Sequence, residues 1–76
     1  MPPKKSEANQ ALGSAIRAVR KQKGYTQETF ALHAEIDRSY YGAIERGEFN
    51  VTVDTLISIA AGLGVPAASL FKRAKL

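Results

Sequence analysis

Apolar residues return at intervals of three and four along most of the 76-residue chain, the spacing that collects them on one face of a helix. Leu12, Ile16 and Val19, with Ala8, Ala11 and Ala15 beside them, predict an amphipathic helix over 9–23. "KGY" ends it, because Gly24 suits the left-handed position past a helix C-terminus. Thr26 offers its hydroxyl as N-cap to a two-turn helix, "QETFALHA", whose apolar stripe is Phe30, Ala31 and Ala34. After a tight connection through Glu35 and Ile36, Asp37 caps a third helix, and Gly47 follows its end. Thr52 caps a fourth, with Leu56, Ile59, Ala60 and Leu63 on one face and Asp54 complementing the helix dipole. Gly64 closes it, and Pro66 suits the first position of a fifth helix, "PAASLFKRA", in which Leu70 and Phe71 are expected to pack inward. Only "FNVTV" alternates as a strand would, and Thr52 and Asp54 fit a capped helix start better. The fold class is therefore all-α, a compact five-helix domain over residues 7–76. Residues 1–6 read as a disordered tail, since "PPKK" has nothing to bury and two prolines lack backbone donors.

The third helix, "DRSYYGAIERGEF", carries the most unusual pattern. On a helical wheel Tyr41 and Ile44 share the core side, flanked by Tyr40, while Ser39, Gly42, Ala43 and Arg46 collect opposite them, with Arg38 at the border. A merely solvated face would hold Glu, Lys or Gln. Gly42 there costs about 0.8–1 kcal/mol of helix propensity relative to Ala. Either the small patch lets another surface come close to the backbone, or Gly42 relieves crowding against a neighbouring helix. A grooved polyanion suits the first alternative, because arginine forks can meet phosphate or the paired acceptors of guanine.

Composition removes several other classes. Without cysteine there are no disulfides or thiolate metal sites, and the single His33 cannot build a metal centre, so neither metal nor cofactor is expected. A formal charge of +4 favours acidic partners modestly. No carboxylate pair, nucleophile–base arrangement or glycine-rich phosphate loop stands out, which argues against an enzyme and against a small-molecule ligand. Neither a membrane-spanning run nor a secretory signal is visible, so a cytoplasmic protein is expected.

A two-turn helix joined by a tight turn to a second short helix is the helix-turn-helix arrangement. The stretch "YTQETFALHAEIDRSYYGAIERGE", preceded by "LGSAIRAVRKQKGYTQ" and followed by "TLISIAAGLGVPAASLF", resembles the lambda-repressor-like helix-turn-helix family. That family includes Cro, phage repressors and the controller proteins of restriction-modification systems. The resemblance implies a sequence-specific transcriptional regulator that binds a double-stranded DNA operator, palindromic and read by a homodimer, with the third helix in the major groove. It implies base reading by Arg38 and Ser39, and a phosphate contact from Gln27 beside Thr26 at the start of the second helix. Tyr40 would meet a phosphate or a deformed base step, or else complete the core edge. Ala43 would touch a thymine methyl, and Arg46, Asn50 and Thr52 would hold the DNA backbone and set register. Arg20 and Glu45 would form a structural ion pair between the first and third helices, and Ile57 is a candidate dimer contact. Where many members have glycine in the turn this chain has Glu35, which is then expected in a left-handed conformation. With the chain ending at Leu76, immediately after the fifth helix, regulation is expected from protein concentration, dimerisation and operator layout. The rival readings are an antitoxin-like protein-interaction module and a nonspecific DNA binder on the same scaffold.

Overall fold

The structure is a computed structural model and describes residues 6–76. Five helices follow in order: α1 (Glu7–Gln22), α2 (Gln27–Ala34), α3 (Arg38–Glu45), α4 (Val53–Leu63) and α5 (Ala67–Ala74). The expected tail falls mostly on residues 1–5, outside the described residues. Its last member, Ser6, belongs to the domain instead: its hydroxyl accepts the Asn9 N–H at 3.0 Å and caps α1 two residues earlier than the apolar pattern suggested. Polar residues can start a helix before any residue on its apolar face, so periodicity alone places this end late.

Each helix boundary has a local cause. Thr26 accepts the Thr29 N–H at 3.0 Å while the Thr29 hydroxyl accepts the Thr26 N–H at 2.9 Å, a reciprocal cap at the start of α2. Asp37 caps α3 through Tyr40 N–H at 3.0 Å, and Thr52 caps α4 through Thr55 N–H at 3.1 Å. Pro66 stands at the N-cap of α5, one residue outside the helix. Glu35 takes the left-handed conformation the turn demands, with φ 58° and ψ 43°, and Ile36 N–H closes back onto the Ala31 carbonyl at 2.9 Å.

The helices pack with α1 against α3 and α5, α2 against α3 and α4, and α4 against α5. Leu12, Ile16, Val19, Phe30, Tyr41, Ile44, Leu56, Ile59, Leu63 and Leu70 form one continuous core. Phe30 lies at its centre, fully buried, with its ring 5.1 Å from Tyr41 and 5.4 Å from Tyr25. Burying such a side chain contributes roughly 1.5–3 kcal/mol, so α2 is held by one aromatic anchor far more than by its own short length. Phe71 corrects the expectation for α5: Leu70 is fully buried, whereas Phe71 is 39% exposed. Adjacent residues on a helix lie about 100° apart, and a terminal helix packed on one side cannot bury both. No single helix among the described residues is long and apolar enough to cross a membrane.

Candidate nucleic-acid interface

Three residues, Glu35 to Asp37, separate α2 from α3, so the N-terminus of α3 emerges beside the C-terminus of α2, while the start of α2 lies against the C-terminal half of α3, where Gln27 meets Glu45. Arg38 and Ser39 form the exposed first turn of α3, and Thr26 is exposed at the start of α2. Arg38 Nε lies 3.6 Å from Glu28 Oε1 across the two helices. Arg46, at the C-cap of α3, is exposed and makes a two-pronged ion pair with Glu48, with Nε at 2.8 Å and Nη2 at 3.2 Å. Gln27, Gly42 and Arg46 converge: a methyl group at Gly42 would lie 3.1 Å from Arg46 Nη1 and 3.5 Å from Gln27 Oε1.

Beneath this surface lies a buried polar cluster centred on Glu45. Arg20 donates Nε to Glu45 Oε2 at 2.7 Å and Nη2 to Oε1 at 3.1 Å, and Nη1 reaches the Tyr25 carbonyl at 2.8 Å. The Tyr41 hydroxyl donates to Oε2, and Gln27 Nε2 donates to Oε1 at 2.9 Å. Four donors thus meet one carboxylate, about as many as its lone pairs accept. Burial pushes the Glu45 carboxyl up, but the hydrogen bonds from Arg20, Tyr41 and Gln27 and the Arg20 charge outweigh it, holding the group below the usual carboxylate range. Burial first, and the bond to Glu45 second, push the Tyr41 phenol up. The Arg20–Glu45 pair is present as the family resemblance implies. Tyr41 and Gln27 are the members that sequence reasoning did not attach to it.

Two expectations on α3 are corrected. Ala43 is 4% exposed and cannot offer its methyl to a groove. Gly42 is buried as well, under the side chains of Gln27 and Arg46 from the same chain. Tyr41 through Glu45 are all buried, because α3 is flanked by α1 on one side and α2 on another, which leaves a narrower outward arc than a free helix has. The packing does not crowd Gly42 against a neighbouring helix either, since the α2 atom nearest to an added methyl, Gln27 Oε1, would stand at an ordinary contact distance of 3.5 Å. Since its nearest neighbour is the tip of an exposed arginine, Gly42→Ala is expected to be tolerated or to stabilise by up to about 1 kcal/mol, read by thermal melting. A loss of more than that amount would mean the arginine tip cannot yield.

The remaining candidates fall in two places. Tyr40 is half-buried at the core edge, with its ring 6.2 Å from that of Phe49. Asn50 Oδ1 accepts from Asn9 Nδ2 at 2.7 Å, tying the α3–α4 connection to the start of α1, and Thr52 is occupied as a cap. Gln27 spends one amide hydrogen on Glu45 and keeps the other. On α4, Ile57 is 55% exposed and Val53, one turn before it, 72%. Glu28 and Glu48 are the residues of this surface that the sequence reading passed over. Nothing in their spacing distinguishes them from ordinary solvated acids.

A helix-turn-helix family model matches residues 16–70. The control protein C.MunI of a Mycoplasma species is 42% identical over 60 residues, which cover 78% of this chain and 81% of that protein. The immunity repressor protein of Bacillus phage phi105 is 36% identical over 59 residues; the match covers 78% of this chain and 41% of the repressor. Among solved structures, the restriction-modification controller protein C.AhdI from Aeromonas hydrophila superposes with a TM-score of 0.79 at 37% identity, covering 82% of this chain and 94% of that one.

Proposed function

The chain belongs to the helix-turn-helix family and is a non-enzymatic DNA-binding transcription regulator of the controller and repressor type; within that class we propose that it reads a palindromic operator as a homodimer, with α3 in the major groove. The observation that carries this reading is the exposed pair Arg38 and Ser39 on the first turn of α3, which a three-residue turn joins to the end of α2. Arg38 would donate two bonds to a guanine, and Ser39 would contact the neighbouring base edge. Thr26, the free amide hydrogen of Gln27, and Arg46 would hold phosphates on either side, with Arg46 exchanging Glu48 for the DNA backbone. Tyr40, in the first turn of α3, would meet a phosphate or a deformed base step, and Asn50 and Thr52, beyond the far end of α3, would set register with Arg46. Ala43 has no part in it.

A single module offers a small contact surface, and two copies would place their α3 helices in successive major grooves about 34–36 Å apart. Exposed Val53 and Ile57 on α4, with partly exposed Phe71 on α5, supply apolar surface for that pairing. The cell compartment that fits this role is the cytoplasm, where bacterial DNA lies.

Selection from a randomised duplex library, followed by binding of Arg38→Ala and Ser39→Ala, tests the proposal. A palindromic consensus bound by two chains is expected, with the Arg38 variant losing about 1–3 kcal/mol of discrimination per half-site while its melting curve is unchanged. A single chain on the selected duplex, or undiminished discrimination in both variants, would overturn it.

A further inference from the structure

An acidic residue stands inside the surface proposed to meet DNA. Glu28 lies in the first turn of α2, next to Gln27, with 75% of its side chain exposed, and a carboxylate there repels every phosphate that approaches. Its charged partner is Arg38, whose side chain is 58% exposed. We propose that Glu28 is a specificity-determining positioning residue, holding the Arg38 guanidinium by its Nε edge so that the two terminal nitrogens are presented together to a guanine. This rests on the reading of Arg38 as a base-contacting residue.

The geometry supports the role in three ways. Contact at Nε, at 3.6 Å to Glu28 Oε1, leaves the Nη1–Nη2 fork uncommitted, and it is a fork that matches the paired acceptors of guanine. The backbone that carries Glu28 is fixed, because α2 is tied to α3 by the left-handed turn at Glu35, by the Phe30–Tyr41 ring contact and by the Gln27–Glu45 hydrogen bond. An arginine steered in the free protein loses less side-chain freedom on binding than one that samples all its rotamers. The two effects of the carboxylate are separable: orientation favours the correct duplex and so raises discrimination, whereas repulsion of phosphate weakens every duplex alike and cancels from the ratio. A simpler role for an acid in a first helical turn is to complement the helix dipole, which would affect stability and leave discrimination untouched.

The decisive variant is Glu28→Gln in the intact chain, alone and combined with Arg38→Ala. The probes are the tightest duplex that the unmodified protein recovers from a random library and a scrambled duplex of the same length, both at one salt concentration. Glu28→Gln is expected to bind the scrambled duplex more tightly. The ratio of the two affinities is expected to fall about two- to fivefold per subunit, the range for losing one exposed ion pair. In the Arg38→Ala background the same substitution is expected to leave the ratio where Arg38→Ala has put it. An equal gain for both duplexes, or an equal fall with and without Arg38, would overturn the positioning role while leaving base reading by Arg38 intact. If Arg38→Ala by itself preserves the ratio, base reading by Arg38 fails, and the role of Glu28 fails with it.

Discussion

Glu45→Ala is expected to destabilise the domain by about 3–5 kcal/mol, the cost of leaving a buried charge without its partner. At about 4–8 °C per kcal/mol for a domain of this size, the melting temperature should fall by more than about 12 °C. The loss is large because four donors share this one carboxylate. Its removal strands the Arg20 guanidinium, 6% exposed, with only the Tyr25 carbonyl, and orphans the Tyr41 hydroxyl beneath it. Arg20→Ala should cost less, since Glu45 would keep Tyr41 and Gln27 as donors and could take up a proton. The order Glu45→Ala worse than Arg20→Ala therefore distinguishes a hub from a simple pair, and equal losses in denaturant titrations would refute it.

Acid titration supplies an independent readout of the same cluster. The folded protein holds the Glu45 carboxyl below its unfolded value, so near pH 4 the unfolded chain binds more protons than the folded one. Stability from this group is complete above the unfolded carboxylate value of about 4.3 and is lost as pH falls through the lower folded value. In Arg20→Ala the chief opposition to burial is gone, so the folded carboxyl moves up toward its unfolded value and contributes less acid-sensitive stability. The stability gap between the unmodified protein and Arg20→Ala should then narrow as pH falls below about 4.3, because the unmodified protein loses a contribution that the variant lacks. A gap that stays constant through that range would mean that Arg20 is not what keeps Glu45 ionised.

The five helices were legible because capping residues and apolar spacing agree at almost every boundary. Thr26, Asp37 and Thr52 all cap as read, and the left-handed Glu35 followed from its place in the turn. The site was legible only in part. Arg38 and Ser39 are exposed as a wheel suggests, but a wheel treats α3 as a free cylinder, and α1 and α2 cover most of it. Hence Ala43 and Gly42 were placed on an outward face that the neighbouring helices close. Gln27 shows the same limit from the other side. A residue expected to contact a DNA phosphate also braces Glu45, since hydrogen bonding between helices depends on how they cross, which no local pattern records.

Gly13 was invisible for the same reason, and it carries the second large expectation. It lies inside α1, where glycine normally costs about 1 kcal/mol relative to Ala, so from local propensity alone Gly13→Ala should stabilise. The packing reverses that sign. A methyl group at Gly13 would sit 2.5 Å from the carbonyl oxygens of both Ile44 and Glu45 and 2.8 Å from the Glu45 carbonyl carbon. All three atoms are backbone at the end of α3, and no rotamer can move them aside. Gly13 and Arg20 are also seven residues apart, two turns on one face of α1, so the glycine lets the helix backbone touch the chain at Glu45 while the arginine grips its side chain. Forcing α1 away at one point should therefore lengthen the bond at the other. Overpacking typically costs about 1–3 kcal/mol and exceeds that range when neither neighbour can yield. Gly13→Ala is expected to lose about 3 kcal/mol or more before the gain in propensity, and operator affinity should drop even well below the melting temperature, because α3 is displaced as a body. Gly42→Ala makes the same chemical change on a helix nearby, against a flexible arginine tip instead of a backbone. Melting curves of the two variants should shift in opposite directions or differ by at least about 2 kcal/mol, and equal shifts would show that the close approach of α1 to α3 is not what places glycine at position 13.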